Sequence, residues 1–262
     1  MDLQLKDRTV VVTGASSGVG LATARYLLSE GARVAACARD LGRLTAAFDE
    51  FSWADKDSIH LASCDVTDQE ATNAFIAGTL DRFGAMDGLV CNAGRSLMAT
   101  LQETTDQQLR DEFELKIFGV LNMVRSARIA LSASAHGSVV NVNAILARQP
   151  ELRLAATSAA RAALLNLTHS LAEDLATDGT RVNSVLLGLV DTGQWRRRFE
   201  NAGTDLDYEA WSAEIAGDRG IKLGRFGTAE EVAFHIVCLL SPNSGYTTGA
   251  TIDVGGGVGR YV

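Results

Sequence analysis

The sequence lacks the features that mark several classes of protein. Four cysteines and four histidines are scattered along the chain without metal-ligand spacing, so we expect no metal site. Acidic residues outnumber basic ones and give a formal net charge of −8, which argues against nucleic acid or an anionic membrane surface as the main partner. These absences leave a small-molecule substrate as the expected partner.

Long hydrophobic runs are also missing. No run approaches the roughly eighteen apolar residues that span a bilayer, and the N-terminus shows no basic segment followed by an apolar core and a cleavage site. We therefore expect no membrane association and a cytoplasmic location. Linkers, repeats and low-complexity tracts are absent too, so residues 1–262 are expected to form a single domain, a size that α/β folds reach with one core.

Short apolar, β-branched runs alternate with longer segments of helical periodicity. Most of the runs are apolar throughout, which is typical of strands covered by helices on both faces. The pattern predicts an α/β fold, a Rossmann-type, doubly wound, parallel seven-stranded sheet with helices on both faces. The predicted strands are 8–14, 32–38, 58–64, 87–92, 137–143, 180–187 and 249–255, and the predicted helices 19–30, 68–83, 106–133, 155–178 and 228–240.

One segment, residues 192–222, interrupts this alternation. It is too long for a plain connection and is rich in aromatic residues, among them Trp195, Phe199 and Trp211. Long insertions in a compact domain are usually functional, so we expect a lid over the substrate. An idle helical excursion is the alternative interpretation.

A glycine-rich turn follows the first predicted strand. Gly14, Gly18 and Gly20 lead into a helix, where glycines let the backbone approach a pyrophosphate and the helix N-terminus offers free amides. The spacing is G-x-x-x-G-x-G instead of G-x-G-x-x-G. The stretch also matches the G-x-S-x-G of a hydrolase nucleophile elbow, but only 13 residues precede Gly14, and such an elbow needs several strands before it. The position therefore favours a dinucleotide site.

The end of the second predicted strand indicates which dinucleotide is bound. A site that prefers NAD places an acidic residue here to bond the ribose 2′-hydroxyl. This chain has Ala38 and Arg39, and a guanidinium pairs with a 2′-phosphate through charge-assisted hydrogen bonds. The expected cofactor is therefore NADP(H) in preference to NAD(H). A solvated surface arginine is the alternative.

At this point the chain resembles the short-chain dehydrogenase/reductase family over nearly its whole length. The resemblance is carried by "TGASSGVG" at 13–20, "CDVTD" at 64–68, "CNAG" at 91–94, "GLVDT" at 188–192 and the C-terminal segment from Gly224. It implies cofactor contacts by Gly14, Ser16, Ser17, Gly18, Val19, Gly20, Arg39, Asp65, Val66, Asn92, Ala93, Gly94, Val190 and Thr192. In the resemblance, Asp65 contacts the adenine and the loop 188–192 holds the carboxamide. It also implies assembly into a homotetramer or homodimer.

The same resemblance implies an Asn-Ser-Tyr-Lys active site, and this chain departs from it at all four positions. Lys116 stands at the Asn position, Ala144 at the Ser position, Thr157 at the Tyr position and Arg161 at the Lys position. A threonine hydroxyl is a far weaker acid than a phenol, so Thr157 should not replace tyrosine as proton donor. Arginine can hydrogen-bond ribose hydroxyls but does not exchange protons at neutral pH.

Lys116 is the remaining candidate for acid/base chemistry. A lysine close to Arg161 and an oxidised nicotinamide would have a lowered pKa. We therefore hypothesise that Lys116 donates the proton to a carbonyl during hydride transfer, directly or through water. The alternative is that Lys116 points outward or bonds a backbone carbonyl.

Three functions are open on the sequence alone. The first is an NADP(H)-dependent oxidoreductase with non-standard acid/base residues, acting on a small carbonyl or alcohol. The second is a silent or non-redox protein that retains dinucleotide binding for sensing or assembly. The third is a structural partner without cofactor, which the retained Gly14, Asp65, Asn92 and Thr192 argue against.

Overall fold

The protein is described here by a computed structural model in which residues 2–260 are placed; residues 1, 261 and 262 of the predicted domain lie outside the described residues. All seven predicted strands are present and all neighbouring pairs are parallel, in the order β3-β2-β1-β4-β5-β6-β7. The strands are β1 (Thr9–Thr13), β2 (Arg33–Ala38), β3 (Ile59–Ser63), β4 (Gly88–Cys91), β5 (Ser138–Ala144), β6 (Arg181–Leu187) and β7 (Thr251–Val254). The Rossmann-type fold class is confirmed.

Alternate residues of the strands pack into two hydrophobic layers. Val10 and Val12 of β1 face a layer that contains helices α1 (Gly18–Ser29) and α9 (Ala229–Leu240). Val11, between them, faces the opposite layer with helices α3 (Gln69–Phe83), α5 (Gly119–Ser132) and α6 (Ala155–Ala176). Apolar side chains on both faces of each strand account for the unbroken apolar runs in the sequence.

Polar residues define where several helices begin. The Asp68 carboxylate accepts hydrogen bonds from the Glu70 and Ala71 amides at the start of α3, and Thr228 forms a capping box with Glu231 at the start of α9. Helix α2 (Leu41–Phe48), whose N-cap is Asp40, was not predicted. Eight residues were too few for the periodicity to stand out.

The predicted helix 106–133 is not uniform. It consists of α4 (Asp106–Phe113), a π-helical turn (Glu114–Phe118) and α5. A π turn accommodates one extra residue, and such turns occur frequently at functional sites. Lys116 lies in this turn.

Residues 193–218 fold into two further helices, α7 (Gly193–Glu200) and α8 (Tyr208–Asp218). Within residues 2–260 no helix is both long and apolar enough to cross a membrane.

Candidate active site

The chain changes direction across the sheet beside β1. Strands β2 and β3 lie on one side of β1 and β4 to β7 on the other. Ligands of open α/β sheets bind at this switch point, outside the carboxyl ends of the strands. The glycine turn after β1 and the Asn92–Gly94 segment after β4 meet there.

Hydrogen bonds hold these two loops together. The Thr13 hydroxyl accepts from the Asn92 and Ala93 amides, both at 3.0 Å, and Asn92 Nδ2 donates to the Thr13 carbonyl at 3.0 Å and the Gly14 carbonyl at 3.1 Å. Thr13 and Asn92 therefore fix the backbone of the turn. Neither side chain needs to touch a ligand to serve this purpose.

Three glycines leave room that any larger residue would fill. Gly14 and Gly18 have positive φ angles of 65° and 57°, and a Cβ at Gly20 would lie 2.4 Å from Asn92 Nδ2. The N-cap of helix α1 is Ser17, whose side chain makes no capping hydrogen bond. The first-turn amides of α1 thus face the turn without a side-chain partner, which suits a bound phosphate.

Arg39 and Asp65 follow β2 and β3. They lie on the side of the switch-point crevice where adenosine is expected. Arg39 is exposed, and its carbonyl accepts a hydrogen bond from Ser63 Oγ at 2.9 Å. Burial tends to raise the pKa of the Asp65 carboxyl, but hydrogen bonds from Thr67 and the nearby Arg39 lower it overall. Val66 beside Asp65 is buried. A charged carboxylate and a solvated guanidinium therefore border the place expected for adenosine.

The loop after β6 reaches the glycine turn. Val190 is buried and pairs with Gly227 in an isolated bridge. A Cβ added at Gly18 would lie 3.3 Å from Thr192 Cγ2. The loop that the resemblance assigns to the carboxamide is therefore next to the glycine turn.

The insertion 192–222 is joined to that loop through Asp191. Its carboxylate accepts hydrogen bonds from Tyr208 at 2.5 Å and from Arg196 at 2.6 and 3.1 Å, so α7 and α8 are both tied to the residue before Thr192. Trp195 packs on Trp211 and Phe226, with ring centroids 6.1 and 4.9 Å apart. The aromatic residues of the insertion form a cluster of their own.

A buried hydrogen-bonded cluster contains two of the candidate catalytic residues. Lys116 Nζ lies 2.7 Å from Glu112 Oε2 and 2.9 Å from the Arg95 carbonyl oxygen. Thr157 Oγ1 lies 2.5 Å from the same Glu112 oxygen and accepts from the Leu97 amide at 3.0 Å. The exposed fractions of Glu112, Lys116 and Thr157 are 3%, 2% and 0%. The Thr157 hydroxyl is therefore already hydrogen-bonded to Glu112 and Leu97.

Arg161 lies at the edge of this cluster. Its Nη1 donates to the Val142 carbonyl at 2.7 Å, and a Cβ at Gly94 would lie 3.3 Å from its Nη2. The Nε atom is buried and has no hydrogen-bond partner within the described residues. The guanidinium therefore retains donor capacity beside the Asn92–Gly94 turn.

The charges in this cluster shift each other's proton equilibria. Burial and then the positive charge of Arg161 lower the pKa of Lys116 to about 8, although Glu112 opposes the shift. Burial lowers the pKa of the Arg161 guanidinium to about 10, again against the effect of Glu112. Lys116 therefore titrates close to the physiological range while Arg161 stays charged.

Ala144 ends β5 and offers no hydroxyl at the position where the family has serine. The neighbouring Asn143 turns away, since its Nδ2 donates to the Arg161 carbonyl at 3.1 Å and its Oδ1 accepts from the Ala144 amide at 2.9 Å. Asn143 thus supports the backbone around Arg161, and no side-chain hydroxyl replaces the serine at this position.

Sequence reasoning missed Glu112. Its spacing of four residues from Lys116 on a predicted helix was a usable signal, because such residues neighbour each other. Acidic residues on helices are normally solvated, and nothing in the sequence indicated that this one is buried.

Comparison with known proteins finds similar sequences over most of the chain. The family model described as short chain dehydrogenase matches residues 8–203. A curated relative, cis-4-hydroxycyclohexanecarboxylate dehydrogenase of Sinomonas cyclohexanicum, is 35% identical over 255 residues, covering 96% of both chains.

Solved structures are similar over the whole fold. A short chain oxidoreductase of Pseudomonas aeruginosa PAO1 with an atypical catalytic center, solved with NADPH, is 44% identical with a TM-score of 0.92, covering 98% of this chain and 99% of that one. L-sorbose reductase of Gluconobacter frateurii, solved with NADPH and L-sorbose, is 28% identical with a TM-score of 0.93, covering all of both chains.

Proposed function

Because the chain belongs to the short-chain dehydrogenase family, we propose that it is an NADP(H)-dependent oxidoreductase that interconverts a small carbonyl compound and its alcohol. Two similar proteins were solved with NADPH, and one of these has an atypical catalytic center. The observation that carries the proposal is the pair of cations, Lys116 and Arg161, beside the Asn92–Gly94 turn.

The residues of the crevice suit the cofactor in their chemistry. The α1 amides and the glycine turn suit the pyrophosphate, Arg39 suits a 2′-phosphate, and Asp65 suits the adenine. Thr192 and Val190 border the place expected for the carboxamide. When bound, the nicotinamide supplies or accepts the hydride.

The active-site side chains have different tasks in this proposal. Arg161 donates hydrogen bonds to the ribose or to the substrate oxygen and stabilises negative charge there. Lys116, with a pKa of about 8, exchanges the proton, and its 2% exposure requires a water in the substrate cleft to carry it. Glu112 and Thr157 are positioning residues, since they hold the Lys116 ammonium.

Replacement of Lys116 tests this assignment. Lys116→Met should lower kcat for carbonyl reduction by about 10²- to 10⁴-fold, the usual loss for a missing general acid. In the parent, kcat for reduction should fall above pH of about 8, because the ammonium is the proton source, and the variant should lose this limb of the pH profile. NADPH oxidation over a panel of ketones, quinones and sugars provides the measurement.

Two controls accompany that experiment. Lys56→Met, at an exposed lysine distant in sequence from Lys116, should leave kcat and its pH profile unchanged. If the single Lys116 variant folds poorly, Lys116→Met/Glu112→Gln removes both buried charges together. Turnover that is unaffected by either Lys116 variant would remove Lys116 from the mechanism.

Replacement of Arg39 tests the cofactor assignment. Arg39→Ala should raise the Kd for NADPH by about 10- to 100-fold, since a hydrogen bond between charged groups contributes roughly 1.5–3 kcal/mol. The Kd for NADH should change less than about twofold on the same reasoning. Fluorescence titration measures both, with Arg25→Ala on the exposed side of α1 as control. Equal losses for the two dinucleotides would contradict a 2′-phosphate contact.

A silent dinucleotide-binding protein is the second candidate, and one observation favours it. Thr157 and Lys116 are bonded to Glu112 and are almost completely buried. Both candidates bind NADPH, but only the first oxidises it when offered carbonyls. A Thr157→Tyr/Arg161→Lys/Ala144→Ser variant that gains turnover where the parent has none would favour the silent binder.

A further inference from the structure

We propose that the substrate is a small carbonyl compound that carries an anionic group, a carboxylate or a phosphate, and that Arg95 binds this group. The inference rests on the proposed function and adds the substrate class to it. It depends on the charges around the end of β4, where positive groups exceed negative ones.

Three cations surround one carboxylate at this place. Lys116 is bonded to Glu112, and Arg95 and Arg161 both lie close enough to lower the pKa of Lys116 through their positive charge. Glu112 is the one carboxylate among the described residues that is bonded to this cluster. Two positive charges are therefore left without a counter-charge.

Three acidic residues that follow β5 in the chain are already bonded to other groups. Arg148 pairs with Asp253 at 3.6 Å and Glu151 pairs with Arg219. Asp191 is occupied by Arg196 and Tyr208. The excess of positive charge near the end of β4 contrasts with the charge of −8 on the chain as a whole, whose overall field disfavours anions.

Arg95 is the cation best placed to meet a substrate. It follows the Asn92–Gly94 turn, its side chain is exposed, and its carbonyl binds Lys116 Nζ at 2.9 Å. Within residues 2–260 its guanidinium forms no salt bridge and no side-chain hydrogen bond. A planar guanidinium matches the oxygens of a carboxylate or phosphate in a bidentate pair. The buried, unpartnered Arg161 Nε nearby adds to the same positive region.

Matched pairs of carbonyl compounds test this inference. The pairs are 4-oxopentanoate with its methyl ester, 4-acetylbenzoate with its methyl ester, and dihydroxyacetone phosphate with dihydroxyacetone. Each pair retains the carbonyl and differs in charge, and comparison of the pairs separates carboxylate from phosphate. We expect the anion of at least one pair to have a kcat/KM about 10- to 100-fold above its neutral partner, falling as salt is raised from 0.05 to 0.5 M because salt screens exposed charges.

Variants assign the preference to Arg95. Arg95→Gln should abolish the preference by raising KM for the anion more than KM for its neutral partner, and Arg95→Lys should retain part of the preference. Arg125→Gln, at an exposed arginine on α5, is the matched control. Equal kcat/KM within every pair, or an Arg95→Gln effect of the same size on both members, would overturn the inference.

Calorimetric titration of the NADPH-loaded protein with the same compounds separates this inference from the proposed function. Anion binding that depends on Arg95 without any turnover would sustain the anion site and reject the oxidoreductase. Turnover of the neutral members alone would support the oxidoreductase and reject the anion site.

Discussion

Replacing Glu112 with glutamine should lower the free energy of unfolding by about 3 kcal/mol, the low end of the loss when one partner of a buried ion pair is removed. The Lys116 ammonium would then stay in a site that is 2% exposed, beside Arg161, without its counter-charge. Part of that cost is relieved when Lys116 releases its proton, because the pKa of the amine falls further once the carboxylate is gone. Urea denaturation at pH 7 measures the change.

The double variant Glu112→Gln/Lys116→Met distinguishes loss of pairing from loss of packing. Removing both charges should recover about half of the lost stability or more, since an apolar replacement of a buried ion pair is often close to neutral. Glu114→Gln, at an exposed glutamate two residues further on, should change stability by less than about 0.5 kcal/mol. A loss as large in the double variant as in the single one would show that the pairing of charges is not the cause.

The second large effect concerns the glycine turn. Gly14→Ala should weaken NADPH binding by more than about tenfold, because a Cβ at this position would lie 2.8 Å from the Ala93 Cα and would push apart the two loops that form the crevice. The φ of Gly14 is +65°, so alanine is also strained there by roughly 1–2 kcal/mol. NADPH titration and thermal unfolding measure the two effects.

Gly84→Ala provides a matched control for the strain. Gly84 has a similar φ of +75° at the end of α3, but nothing lies within 4 Å of the position of its Cβ. This variant should therefore lose stability from backbone strain alone and bind NADPH as the parent does. If Gly14→Ala also leaves the NADPH affinity unchanged, the glycine turn is not the cofactor site.

Much of the fold could be predicted from the sequence because it depends on short, local sequence patterns. The seven strands stand out as apolar, β-branched runs, and the glycine turn is conspicuous since Gly14 and Gly18 need positive φ. The position of the substituted site was likewise predicted from residues 116, 144, 157 and 161. Burial and the charge of Arg161 lower the Lys116 pKa as the sequence led us to expect, while Lys116 also bonds the Arg95 carbonyl, which was the alternative interpretation. The role of Lys116 as proton donor is still a prediction.

The parts that were not predicted depend on tertiary packing. Glu112 looks like a solvated helix residue until α4 packs against α6 and closes over it. The hydrogen bond from Thr157 to Glu112 depends on the same packing. The π turn at Glu114–Phe118 escaped prediction because its five residues are too few to shift the apparent periodicity. The role of residues 192–222 as a lid is still a prediction.

The π turn also constrains how this active site can change. A deletion of Glu114 or Leu115, before Lys116 in the π turn, would restore regular winding and rotate α4 by about 100° relative to Lys116 and α5. Glu112 would then leave the interior while Lys116 kept its place on the side of α5. Point substitutions alone would leave a tyrosine at position 157 beside the Glu112 carboxylate, so such a deletion should raise the turnover of the Thr157→Tyr/Arg161→Lys/Ala144→Ser variant above that of the substitutions alone.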